Sequence, residues 1–469
     1  MQLALLAGAS LLTGCQPVWR RVWTPPVTRL PSYEALPDDV RWLQRVTFGA
    51  TPAELQRLRE MGKVAYLEQQ LHPNEAGEHP LVRWRLRSFE IFQARPAELG
   101  DLPVREVVRQ LSQHAILRAV YSRYQLQERM VDFWRDHFNV YAHKGLCAYY
   151  LPQYERDVLR PHALGRFPDL LKATARSPAM LLYLDNAQNR RGVPNENYAR
   201  ELLELHTLGV HGGYTQRDVQ EVARCFTGWT VEERFLRPRG AFRFDPAQHD
   251  DGEKRVLGRR LPAGGGMEDG ERVLEMLALH PATARHLCRK LCVYFLGHAP
   301  EAVVRRLSEA YLHTGGEMGA VLRELLLSEE VLHAPPAFKR PLDYLVSSLR
   351  ALQAFTDGNL PLQEHLEKMG QPLYGWPLPD GYPQGEAAWK GTLLARWNFA
   401  LALCANAIRG TWVDLPALVG MRPSREALLE AIFCLPSDTP ALRPLRERLH
   451  GSLSQQAALL LASPQFQWR

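Results

Sequence analysis

Carboxylates and imidazoles recur in this sequence at spacings that suit proton transfer or metal binding. Within 194–209, Glu201 and Glu204 are three residues apart, so on a helix they share a face, and His206 follows near the helix end. An earlier stretch carries Glu128, Asp132 and Asp136 at four-residue steps, then His137 and His143. Helical proteins build metal and acid/base sites by projecting such groups from facing helices. His137, Glu201, Glu204 and His206 therefore form the candidate catalytic set, with a divalent metal as one open cofactor. The Glu-x-x-His spacing of di-iron carboxylate proteins is absent. The same residues also read as a structural network, with Arg200 paired to Glu204, Arg129 to Asp132 and Glu201 to Arg224; Arg200 alternatively faces substrate.

Two further groups have the right chemistry. Asp245, His249, Asp250, Asp251 and Lys254 lie in an irregular stretch, where functional residues concentrate. His249 and Asp250 can hold a metal or act as an acid/base pair, with Lys254 beside an anionic substrate group. A solvated turn fits the same residues. Tyr374-Gly-Trp376-Pro-Leu-Pro-Asp-Gly-Tyr382 and Trp389 gather aromatic rings on a loop. Trp376 and Trp389 suit stacking on a sugar or peptide, or plugging a groove. No nucleophile elbow, phosphate loop, dinucleotide fingerprint or zinc-protease motif is present. Cys288 and Cys292, four apart, lack the second pair a zinc site needs and read as buried small side chains.

The elements that must position these groups are mainly helical. Thr51-Pro-Ala-Glu54 opens a helix to about residue 71, with Pro at its first position. Apolar residues recur at three and four across 104–141. Asn195 can cap a helix through His206 that stops at Gly209, and Thr215-Gln-Arg-Asp218 opens the next, the two forming a hairpin. From 229 to 262 the pattern changes to short strands, a small irregular or β insertion. A Gly-rich loop at 262–266 returns the chain to helices near 268–295, 299–313, 317–333 and 339–355. The Gly/Pro/Trp-rich stretch 370–391 is irregular, and two or three helices close the chain.

The first fifteen residues, MQLALLAGASLLTGC, suit a signal peptide whose apolar core is too short to span a bilayer. No Lys or Arg precedes that core. Leu12-Thr-Gly-Cys15 resembles a lipobox, making Cys15 the lipidation site and the membrane a partner through the anchor. Residues 16–36 are a Pro-rich tether, and 37–469 form a helical domain with a sub-boundary near 262–268. The location expected is the periplasm or cell surface. The 57 basic residues include only 8 Lys and interleave with 51 acids, without the clustering that nucleic acid demands.

Several stretches carry a family resemblance: Arg45-Val-Thr-Phe-Gly-Ala-Thr-Pro52, Phe133-Trp-Arg-Asp-His-Phe138, and Pro194-Asn-Glu-Asn-Tyr-Ala-Arg-Glu-Leu-Leu-Glu-Leu-His-Thr-Leu-Gly209. To these add Tyr214-Thr-Gln-Arg-Asp218, Thr227-Gly-Trp229, His249-Asp-Asp-Gly-Glu-Lys254, Lys339-Arg-Pro341, Gly370-Gln-Pro372, Trp389 and Arg396. The chain resembles, over nearly its whole length, the bacterial family filed as domain of unknown function 1800. The resemblance implies a large, mainly helical extracytoplasmic protein and brings no catalytic residues. Genes of the family often stand beside those of phosphatase- or sulfatase-like proteins, which the resemblance implies as a partner. Two functions remain open: an enzyme acting on an envelope or extracellular polymer, and a non-catalytic binding or assembly lipoprotein.

Overall fold

The computed structural model describes residues 37–232, 240–420 and 424–469. The signal segment, Cys15 and the tether lie outside the described residues. The fold is mainly α with small β elements, as the periodicity predicts. One hydrophobic core runs from Val40 to Phe466. Among the described residues no helix is long and apolar enough to cross a membrane.

The elements that matter to the site, in chain order, begin with α1 (Pro37–Val46), α2 (Pro52–Met61) and α3 (Lys63–Leu71). Thr51 accepts the Glu54 amide at the start of α2, as its sequence suggests. The helix expected to reach residue 71 is broken at Gly62, whose φ of 79° favours glycine. Next come α4 (Pro80–Arg87), α5 (Val104–Tyr121) and α6 (Gln125–His137). The 104–141 stretch is thus two helices rather than one. The Ser122 hydroxyl accepts the Tyr124 amide and donates to Glu78, drawing the backbone out of the helical path.

α7 (Cys147–Tyr154) widens into a π turn, Glu155–Leu159. α8 (Asn197–Glu201) does the same over Leu202–His206. Asn195 Oδ1 accepts the Asn197 amide at its start. α9 (Gln216–Cys225) opens on a reciprocal Thr215–Asp218 capping box. The insertion is two antiparallel pairs, β1 (Trp229–Val231) with β2 (Phe242–Phe244) and β3 (Lys254–Val256) with β4 (Arg259–Leu261). Then follow α10 (Met267–Ala278), α11 (Pro281–Leu296), α12 (Pro341–Ala351), α13 (Leu393–Cys404) and α14 (Leu453–Ala462). The expected 268–295 helix is interrupted at His280, which caps α11 ahead of Pro281. The six cysteines from Cys147 to Cys434 are buried and unpaired.

α6 lies at the centre. It is rich in charge yet almost wholly buried, so its ions need partners inside the fold. Arg340 binds both Asp132 and Asp136, Arg129 binds Asp343, and Arg469 Nη1 reaches Asp343 at 3.6 Å. Arg135 bridges Asp132 (3.4 Å) and Glu155 (3.3 Å), while Arg160 holds Glu128 at 2.8 Å. The expected pair Arg129–Asp132 is therefore replaced by contacts to α12. Tyr294 of α11 already donates to Asp132 at 2.9 Å, and the Arg129 guanidinium turns the other way, over the Tyr294 ring.

Candidate active site

The C-terminal end of α6 delivers His137 against the π turn that ends α8. A π turn frees the carbonyls at its end, and here imidazoles take them up. His137 Nε2 lies 3.1 Å from the His206 carbonyl and His286 Nε2 lies 3.2 Å from the Leu205 carbonyl. A carbonyl can only accept, so His137 carries its proton on Nε2 and presents a lone pair at Nδ1. Lys290 Nζ donates to that lone pair at 2.9 Å. His286 and Lys290 sit one turn apart on the same face of α11. Gly209, at a φ of 81°, lets the chain pass the His286 ring, since a Cβ there would sit 2.9 Å from Nδ1.

The three rings are close, with His137 centroids 6.1 Å from His206 and 6.2 Å from His286. Burial and the Lys290 charge keep all three neutral: His137 is held well below the usual imidazole range, His206 falls to about 3 and His286 to about 4. His206 Nε2 is buried with no hydrogen-bond partner among the described residues. Lys290 is itself lowered to about 8 by burial, against the pull of Asp136 and Asp380. The residue as a whole is partly exposed.

Asp380 comes from the aromatic loop, which is pinned to the end of α6. Asn139 donates to the carbonyls of Trp376 (3.0 Å) and Leu378 (2.7 Å), and Tyr183 donates to Pro377 at 2.9 Å. Gly381 rests on the Asp136 carbonyl, where a Cβ would stand 2.1 Å from the oxygen. Trp376 Nε1 donates to Asp380 at 2.8 Å, and the half-buried ring lies 5.0 Å from that of Tyr382. Trp389 is buried, donates to Pro383 at 3.0 Å and braces Tyr382, which makes it a plug. The irregularity expected of 370–391 is thus a positioned loop.

Glu201 and Glu204 lie on the accessible side of α8, both half-buried. Burial, then Glu204 and Asp380, raise the Glu201 carboxyl above the usual range. Tyr214 approaches Glu204 at 3.4 Å. The arginines expected to pair with these glutamates are engaged elsewhere. Arg200 binds Glu196 at 2.9 Å and Gln216 at 3.2 Å, because the helix start brings Glu196 one turn before it and the hairpin brings Gln216 alongside. Arg224 is taken by Glu221 (3.0 Å) and Asp250 (2.8 Å). The structure therefore joins His137 with His206, places Glu201 with Glu204 beside the same loop, and adds Lys290, His286 and Asp380. The sequence signal for the missed pair is the four-residue spacing of His286 and Lys290 on an otherwise apolar helix face. Asp380 has no such signal, since its place depends on how the loop folds back.

The second group is committed inside the fold. His249 is buried, with Nδ1 2.8 Å from the Thr227 carbonyl and Nε2 3.4 Å from Asp269. Lys254 is buried too, 2.7 Å from Asp269 and donating to the Asp250 carbonyl. Burial works against it, yet His249 and Lys254 hold the Asp269 carboxyl below the usual range. Asp250 faces Arg224 in two hydrogen bonds. These contacts tie the β insertion to α9 and α10. Among the described residues no group of three or more His, Cys, Asp or Glu side chains has the arrangement to hold a metal ion. The Lys290 ammonium already occupies the His137 lone pair, the nitrogen that would otherwise face a cation.

Residues 41–468 match the family described as "Protein of unknown function (DUF1800)". The chain belongs to that family. The match spans α6, the α8 π turn, α11 and the aromatic loop, so every group described above lies within it. No curated protein and no solved structure matches the chain.

Proposed function

We propose that this DUF1800 protein is an extracytoplasmic, lipid-anchored acid/base enzyme acting on an envelope or extracellular polymer, with Lys290 as its base. The observation that carries the reading is the Lys290 amine, 2.9 Å from a His137 lone pair whose direction is set by the His206 carbonyl. An amine lowered to about 8 is deprotonated often enough near neutral pH to accept a proton, and His137 holds it in one orientation. Glu201, raised by burial and by Glu204, is the complementary acid that returns a proton. The half-buried Trp376 is the residue that would stack on a ring of the polymer. His206, buried beside His137, positions rather than reacts. Arg200 lies on the solvent side of α8, and its place in this reading is at the polymer's approach. The periplasmic or surface location rests on the signal-like segment and Cys15.

The test is release of soluble fragments from isolated peptidoglycan sacculi and from purified envelope polysaccharide, read by mass spectrometry. Wild type should release fragments, and Lys290→Met should do so about 100-fold more slowly. No release by wild type from either polymer, or equal release by Lys290→Met, defeats the reading.

A second reading has its own observation. Leu394, Trp397 and Leu401 are exposed at 67%, 46% and 56% along one stripe of α13. An apolar stripe of this kind marks a docking face, and the phosphatase- or sulfatase-like protein encoded beside family members is the partner it would serve. Co-expression with that neighbour, comparing wild type with Trp397→Ser, decides it: loss of a stable complex supports docking, and no complex with wild type removes it.

A further inference from the structure

On the opposite end of α6 from His137, a cavity of about 500 Å³ opens between α4, α5 and the π turn after α7. Five arginines line it, Arg83, Arg87, Arg118, Arg156 and Arg160, against two glutamates, Glu75 and Glu78. The rim is internally paired: Arg87 meets Glu75 at 3.2 Å, and Arg156 binds Asp157. Inside, Arg118 and Arg160 face the buried carboxylates Glu128 and Glu155, with Arg160 3.7 Å from Glu155. Arg160 is held by Glu128 at 2.8 Å, which leaves Arg118 only a 3.8 Å approach to that carboxylate. The Arg83 guanidinium has no hydrogen-bond or ion-pair partner among the described residues.

Arg118 Nε donates to His114 Nε2 at 3.2 Å. Guanidinium nitrogens only donate, so His114 must carry its proton on Nδ1. That N–H is buried and lacks a partner among the described residues. His114 is itself 4% exposed and held between Phe89 and Phe92. A buried donor left over beside a guanidinium that has no short ion pair costs stability unless an acceptor arrives. Burial and the nearby Arg160 already lower Arg118 to about 10. Leu86, Phe92 and Tyr124 supply apolar wall, and Gln93 and Gln127 supply amides suited to hydroxyls. The volume falls in the range of small-molecule sites.

We propose that this cavity binds an anionic saccharide, with its phosphate or sulfate ester group against Arg83 and Arg118 and its ring against Phe92 and Tyr124. Glu128 and His137 are nine residues apart on α6, about 13 Å along the axis. The cavity is thus separate from the Lys290 site, and the inference does not depend on the proposed function.

Calorimetry on the mature protein at low salt tests it, with glucose 6-phosphate, glucose 6-sulfate, inorganic phosphate and glucose as probes. At least one ester should bind, and more tightly than inorganic phosphate or glucose; which ester binds identifies the head group. Arg83→Gln and Arg118→Gln should each weaken binding about tenfold, and Lys290→Met should leave it unchanged. Arg83 is partly exposed and unpaired, so its variant keeps the test decisive if Arg118→Gln folds poorly. Binding of neither ester overturns the proposal. Glucose or inorganic phosphate matching the esters overturns it too, as does an Arg83→Gln protein that binds like wild type.

Discussion

If Lys290 is kept for chemistry, the fold should be better off without its charge. The ammonium falls from an ordinary 10.5 to about 8 through burial. At about 1.36 kcal/mol per pH unit, holding it charged in the folded state costs about 3 kcal/mol. Partial exposure screens part of that cost, and a methionine leaves His137 Nδ1 without its donor, so about 1–2 kcal/mol remains as net gain. The sign follows from proton counts. Between pH 8 and 10.5 the unfolded chain binds more protons at this lysine than the folded one, so wild-type stability rises with pH there. Lys290→Met should therefore melt a few degrees higher than wild type at pH 7, and the advantage should shrink as pH climbs from 8 toward 10.5. Thermal unfolding of both proteins at several pH values in that window measures it. A variant that melts lower at every pH, with a constant difference, would mean that the ammonium braces the fold, and the strain argument would be refuted.

Three further outcomes are expected. Glu201→Gln should melt at or above the wild-type temperature, because no cation pairs with Glu201 among the described residues and Glu204 and Asp380 repel it; its raised carboxyl favours the folded state at low pH, so wild type should lose ground to the variant as pH rises from 4.5, and a variant several degrees less stable at pH 7 contradicts this. Asp343→Asn should cost about 3–5 kcal/mol in urea unfolding. Although burial opposes them, Arg469, Arg129 and Arg340 hold Asp343 far below the usual range, so this stabilisation is present above about pH 4 and fades as pH falls below it; a loss under 1 kcal/mol would show the network to be dispensable. Cys15→Ala should abolish lipid labelling and move the protein out of the membrane fraction, and unchanged labelling sinks the anchor.

Local signals in the sequence located the elements well. The caps at Thr51 and Thr215 and the switch to short strands after Trp229 report on the backbone within a few residues, which is where capping and alternation act. Boundaries slipped where a single residue such as Gly62 or Ser122 interrupts an otherwise continuous apolar pattern. For the site, His137 and His206 stood out because both lie on polar-rich helices near charged neighbours. Their actual partners did not, because Lys290 and Asp380 reach them only through the packing of α11 and the 376–382 loop. The ion pairs were least legible. Arg129, Arg200 and Arg224 each have a plausible acid three or four residues away or across the hairpin, and each chooses another. Spacing supplied acids on either side, Glu196 four residues before Arg200 and Glu221 three before Arg224, and only the packing between elements decides which acid is taken.

The arrangement around α6 also bears on synthesis. Its carboxylates Asp132 and Asp136 leave the ribosome long before Arg340, and Arg129 leaves long before Asp343, whose own neighbour Arg469 comes later still. A nascent chain that collapsed early would trap bare charges in an apolar interior, so the amino-terminal helices gain by staying loosely packed until the distal arginines arrive. On this arrangement the fold locks only once its far end has caught up.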